Sequence, residues 1–187
     1  MPDPTPPTVR LTPLDPRGAD RAALVDLLTG NHFPFHVVPC PAREAVERAI
    51  DAGRYDDDDH AGFWIDVTGH GRVGLAVLED LTDDAPLFDL RLAEAFRGRG
   101  LAAPVLRALT AHVFTTLPRV DRFEGQTRED NVAMRRTFRR CQFVKEAHYR
   151  DGWPVEGGAP VASVAYAILR RDWSSGTTTP VPWDDEP

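Results

Sequence analysis

Apolar and polar positions recur along this chain with two different periods, and the places where the period changes divide it into elements. Val9–Leu11 is a short apolar segment that reads as a first strand. Leu24, Leu27 and Leu28 share one face of a helix predicted over about residues 18–29, with Asp15 or Asp20 to cap it and Gly30 to stop it. Pro41 sits where the first turn of a helix accepts proline, and AREAVERAIDAG carries a second helix to Gly53. The pattern then shifts to strands over Gly62–Thr68, Arg72–Leu81 and Leu87–Leu92, with a turn at the GHG of 69–71. Leu101, Val105, Leu109 and Val113 recur four apart, with Leu106 adjoining, and predict a helix over Gly100–Leu117. Asp121–Thr127 reads as a strand, Asn131–Cys141 as an amphipathic helix, and Phe143–Tyr149 and Ala162–Leu169 as the last strands.

That order predicts an α/β (α+β) fold, a mixed sheet flanked by helices with a right-handed strand–helix–strand crossover. The proline-rich residues 1–7 read as a disordered N-terminus, 8–173 as a single domain, and 174–187 as an extended tail of turn-forming composition. A chain of 187 residues, 42% apolar and 27% charged, carries enough apolar material for one core. Its net charge of −7 argues against general nucleic-acid binding, which needs a basic face, and suits a cationic substrate as well as it suits an ordinary acidic protein. Cys40 and Cys141 form no CxxC, and no Cys/His cluster has zinc spacing, so no metal is expected and a reducing, cytoplasmic compartment is the simplest reading. MPDPTPPTVR lacks the apolar core of a signal peptide, and no stretch approaches the roughly 20 apolar residues that cross a bilayer.

The chemistry concentrates in LRLAEAFRGRGLAAPVL. A strand ends at Leu92, a turn carries Arg97-Gly98-Arg99-Gly100-Leu101-Ala102, and a helix starts at once. Unpaired N–H groups at a helix N-terminus attract anions, and the helix dipole adds roughly half a positive charge. Glycines let a phosphate approach the backbone, and the two arginines add directed donors. The P-loop ending GKS/T is missing, and so is the G-x-G-x-x-G dinucleotide pattern. A glycine-rich turn before a helix is the structural alternative.

These residues match the R/Q-x-x-G-x-G/A motif of the GNAT superfamily of N-acetyltransferases. Asn131, opening the helix of TREDNVAMRRTFRRCQF, resembles that family's N-x-x-(A/S)…G-F segment, and YRDGW…ASVAYAILRRDW is similar to the last strands of the RimJ/RimL-type branch. The resemblance spans roughly residues 8–173. It implies a mostly antiparallel sheet in which two strands splay to hold acetyl-CoA, an acceptor amine as second substrate, and a homodimer as a common assembly. Within it, Arg97, Gly98, Arg99, Gly100, Leu101 and Ala102 hold the pyrophosphate, and backbone groups of Leu90, Arg91 and Leu92 pair with the pantetheine like an added strand. Asn131 contacts the pantetheine arm, with Arg135 and Phe138 lining the same coenzyme.

Three residues depart from the family pattern. Gln142 stands where glycine is usual, Phe138 where many members place the tyrosine that protonates the departing thiolate, and Met134 where a serine is frequent. Glu124, two residues from Gln126 on one strand face, is the first candidate for the general base, ahead of Glu79, Asp80, Asp89 and His148. A surface pairing of Glu124 with Arg122 or Arg128 is the alternative. Tyr149 and Tyr166 are the candidate phenols for the acid. The losses at 134, 138 and 142 also fit a non-catalytic acyl-CoA-binding module. The arginines at 135, 136, 139 and 140 fit a coenzyme phosphate, a nucleic acid or a solvated helix face. His32, Phe33, Phe35 and His36 fall in the segment that shapes the acceptor pocket in similar enzymes, and packing accounts for them equally. Asp56–Asp59 lacks EF-hand spacing and reads as a solvated loop or an attractor of cations.

Overall fold

The computed structural model describes residues 7–183; the N-terminal expectation for 1–7 lies almost wholly outside the described residues, as does the end of the tail. Seven strands, β1 (Val9–Pro13), β2 (Ala61–Val67), β3 (Gly71–Glu79), β4 (Leu87–Leu92), β5 (Arg122–Arg128), β6 (Val144–Trp153) and β7 (Val161–Leu169), alternate with five helices. The helices are α1 (Arg21–Thr29), α2 (Arg43–Asp51), α3 (Ala102–Thr116), α4 (Val132–Arg140) and α5 (Arg170–Ser175). The strands form two antiparallel ladders, β1-β2-β3-β4 and β5-β7-β6. They meet along β4 and β5, where one backbone bond, Glu124 N–H to the Pro86 carbonyl (3.1 Å), joins the start of the two strands.

Alternation along β4 assigns its side chains to two faces. Phe88, Leu90 and Leu92 join the core under α3 and α4, with Val105, Leu106, Leu109, Phe123, Phe138 and Phe143. Asp89 points the other way, toward the α1–α2 side. There a second core gathers Leu24, Val25, Leu28, Phe33, Val46 and Ile50 against Trp64, Leu75 and Val77 of the sheet. Beneath α4, Phe138 (0% exposed) stacks on Tyr166 with centroids 4.7 Å apart and 7° between planes. Gly125 of β5 makes this possible, because a Cβ there would meet the Phe88 and Phe138 rings at 2.6 and 2.8 Å. Burying a ring of that size stabilises the fold by about 2–3 kcal/mol. Arg170 closes the other end of α3 by donating to the carbonyls of Phe114, Leu117 and Val120.

Several predicted boundaries shift for local reasons. Helix α1 starts later than the apolar pattern suggests. The Asp15 carboxylate accepts from the Ala19 amide and the Asp20 carboxylate from the Asp15 amide (both 2.9 Å), so these acids close a turn instead of capping the helix. Strand β6 runs on to Trp153 through register irregularities that a period count cannot follow. The boundary expected at 173 falls inside α5, whose turn the composition of the tail conceals; Asp172, buried there, accepts from the Thr179 amide and hydroxyl. Gln142 takes the left-handed backbone (φ 65°) that glycine fills in the family pattern, and its side-chain amide donates to the Gly176 carbonyl at 2.9 Å. Among the described residues no helix is long and apolar enough to cross a membrane.

Candidate active site

The segment from β4 into α3 has the form of an anion cradle. After Leu92 a short 3-10 turn (Glu94–Phe96) redirects the chain. Gly98 and Gly100 then take φ of 71° and 77°, a conformation other residues adopt at a cost of about 1–2 kcal/mol. A Cβ at either position would meet nothing within 4 Å, so the concave side is open. Leu101 precedes the first turn of α3 without a side-chain cap, and among the described residues the amides from Gly98 to Ala102 find no acceptor. Pro104 adds no unpaired donor to that turn. Arg97 donates its Nε to the Leu92 carbonyl (2.8 Å), and its Nη2 is buried without a partner. Unclaimed amides, a dipole end and an orphaned guanidinium nitrogen fit a diphosphate.

Beyond the Pro86–Glu124 bond, β4 and β5 are not paired, and a cavity of about 510 Å³ opens across the gap. Leu87 to Arg91 of β4, Gln126 and Thr127 of β5, and Asn131 and Met134 at the head of α4 line one side. The α1–α2 connection and α2 line the other with Phe35, Val37, Val38, Ala45 and Ala49. Asn131 caps α4: its Oδ1 accepts from the Met134 amide (3.2 Å) and its Nδ2 donates to Thr127 Oγ1 (2.9 Å), an arrangement worth about 1 kcal/mol. Each of these groups retains capacity for one more bond, and Asn131 and Thr127 both line the cavity.

The α1–α2 connection is stitched to the cradle. Glu94 accepts from the His32 amide (2.6 Å), and its own amide donates to Asn31 Oδ1 (2.8 Å). The Arg91 and Arg97 guanidinium groups both lie 5.1 Å from the Phe33 ring centroid. Arg128 donates to the Pro34 carbonyl, and His36 Nε2 lies 2.9 Å from Asp89 Oδ1.

The cavity holds two carboxylates of opposite character. Burial alone would push the Asp89 carboxyl up, but Arg91 and His36 more than reverse this and hold it well below the usual carboxylate range. Burial pushes the Glu79 carboxyl up, offset in part by Arg54, whose Nη2 lies 2.8 Å from Glu79 Oε1. The Tyr55 phenol lines the same cavity, and burial raises it too.

Some residues singled out in the sequence therefore converge and others do not. Leu90 and Arg91 border the gap with Asn131, and Leu92 leads into the cradle of residues 97–102. Glu124 does not line the cavity. Its carboxylate is paired with Arg122, which also holds Glu146 at 2.7 Å, and it accepts from Gln126. Tyr149, 51% exposed on β6, stands outside the cavity as well. Phe138 is sealed in the α4 core instead of facing the gap. Arg135 turns to the Glu129 carbonyl (2.7 Å) and Tyr166, bordering a basic groove along β6 with Arg136, Arg139 and Lys145. Glu79, named second as a base, lies where Glu124 does not. The His36–Asp89 and Arg54–Glu79 pairs join residues far apart in sequence, so no local pattern announces them.

The profile of a family described as the acetyltransferase (GNAT) domain matches residues 9–144. The fold is also similar to solved structures of a spermidine N-acetyltransferase from Vibrio cholerae. The form in complex with CoA and spermine shows a TM-score of 0.75 at 18% identity over 89% of this chain and 98% of that one. A chimera of that enzyme with hSSAT gives 0.75 at 16% identity, with 89% and 98% covered. The manganese complex gives 0.70 at 18% identity, with 90% and 96% covered. At such identities the likeness is one of fold.

Proposed function

Because the chain belongs to the GNAT acetyltransferase family, a group of acetyl-CoA-dependent enzymes, we propose that it transfers an acetyl group directly to a primary amine bound in the cavity between β4 and β5. One observation carries this reading: β4 borders a cavity that Glu79 also lines, and it leads directly into a turn whose amides find no acceptor among the described residues. Acetyl-CoA supplies an acyl carbon activated as a thioester. The amides of residues 98–102 and Arg97 hold its diphosphate. The unpaired edge of β4 around Leu90–Leu92 aligns the pantetheine, and Asn131 fixes it from the head of α4.

An amine arrives as ammonium and must lose a proton before it attacks. Glu79 takes that proton, directly or through one water, because burial makes its carboxylate more basic than a surface acid, an effect that Arg54 offsets in part. Glu124 is left a supporting role, organising Arg122 and Gln126 at the closed end of the gap. Tyr55, which lines the cavity, takes in this reading the role considered for Tyr149 and Tyr166, returning a proton to the leaving thiolate. Membership of the RimJ/RimL-type branch, supported by the YRDGW…ASVAYAIL segment, and a cytoplasmic location belong to the same proposal, as does the homodimer that the resemblance implies.

Thiol release from acetyl-CoA over a panel of amines tests the activity, and paired variants test the base. Glu79→Gln lowers kcat by about 10²–10⁴ with the affinity for CoA unchanged, the usual span for a general base. Glu124→Gln changes kcat by less than about threefold. The reverse ranking returns the base to Glu124, and CoA binding without turnover on any amine defeats the transferase reading.

A further inference from the structure

The lining of the acceptor side says which amine fits. Leu28, Phe35, Val37, Val38 and Val46 make its walls, with Ala45 and Ala49 leaving width between them. Val37 and Val38 are 45% and 46% exposed, two of the five large apolar side chains so exposed among the described residues, and both stand at this one cavity. Exposed apolar surface gathered at the mouth of a cavity marks a place where an apolar ligand removes it from water. The charges in the cavity are already matched. Asp89 is held by Arg91 and His36, and Glu79 by Arg54, leaving no carboxylate without a cation. Gln126, the β5 side chain at the gap, is neutral.

We infer that the acceptor is a primary monoamine on an apolar body of aralkyl or branched-alkyl size, and not a polyamine. The inference rests on the reading that this cavity receives the acceptor amine. One cation is accommodated because Glu79 can exchange its partner or give up its charge by taking the amine's proton. The second and third cations of a polyamine would be desolvated against valine and alanine with no counter-charge, which is strongly unfavourable. Two sources carry the required chemistry: a free aralkylamine, and a peptide N-terminus whose first side chain is apolar.

The test compares kcat/KM for phenethylamine, leucinamide and spermidine with the full chain at saturating acetyl-CoA. At least one of the first two exceeds spermidine tenfold or more, and the better of them identifies the source as a small amine or a peptide terminus. Val38→Asp, at an exposed position where folding is not at stake, and Ala45→Asp each lower the apolar-amine value about tenfold while the Kd for CoA stays constant. Higher kcat/KM for spermidine overturns the inference and leaves the transferase standing, as does an apolar preference untouched by both substitutions. Thiol release with none of the three, given intact CoA binding, overturns both together.

Discussion

The two ends of the gap in the sheet are built on opposite principles. At the cradle, donors are left unclaimed: among the described residues the amides of 98–102 find no acceptor, and Arg97 Nη2 is buried without a partner. In the acceptor cavity every carboxylate is claimed, Asp89 by Arg91 and His36 and Glu79 by Arg54. An end that lacks partners is completed by a ligand of fixed charge. An end whose charges are balanced selects by shape and apolar contact, and in the proposed reaction Glu79 is the carboxylate that takes the amine's proton.

The sharpest way to break the contrast is Gly100→Glu. It places a carboxylate where the coenzyme's phosphates belong, at a left-handed position, and weakens CoA binding by at least about a hundredfold in calorimetry. Gly100→Ala pays only the backbone strain of about 1–2 kcal/mol and separates conformation from charge. Arg97→Ala comes next. It removes one charged donor and weakens CoA by about tenfold to a hundredfold, with little change in KM for the amine if the two ends act separately. The smallest effect is Arg54→Ala. Burial raises the Glu79 carboxyl and Arg54 lowers it, so removing Arg54 lets it rise further. The acidic limb of the kcat/KM profile then moves to higher pH, because the carboxylate that accepts the proton forms later. A limb that stays in place assigns the limb to another group.

The same contrast explains what the sequence could disclose. Strand β4 occupies the predicted Leu87–Leu92, and the predicted turn carrying Gly98 and Gly100 does lead from it into α3, because both depend on neighbours within a few residues. Asn131 was legible for the same reason: a helix N-cap is a local arrangement. The acceptor cavity was not. His36 and Asp89 meet across 53 residues and Arg54 and Glu79 across 25, so only the folded sheet shows which acids line the cavity and which cations they meet. Glu124 looked available because its strand face was right. The competing pairing with Arg122 lay two residues away, and Glu146, which fixes that guanidinium from the other side, lay 24 away on β6. Helix α5 was hidden by tail-like composition, and tertiary anchoring of Asp172 overrides that propensity.

The ring of Phe33 carries a last consequence. Its centroid lies 5.1 Å from both the Arg91 and Arg97 guanidinium groups, so the guanidinium proposed to meet the diphosphate also braces the connection that supplies Phe35, Val37 and Val38 to the cavity wall. Displacing that guanidinium toward an incoming anion withdraws one support from the wall and alters its rigidity. Thermodynamic linkage then makes the effect mutual: by whatever factor the nucleotide changes the grip on the amine, the amine changes the grip on the nucleotide by the same factor.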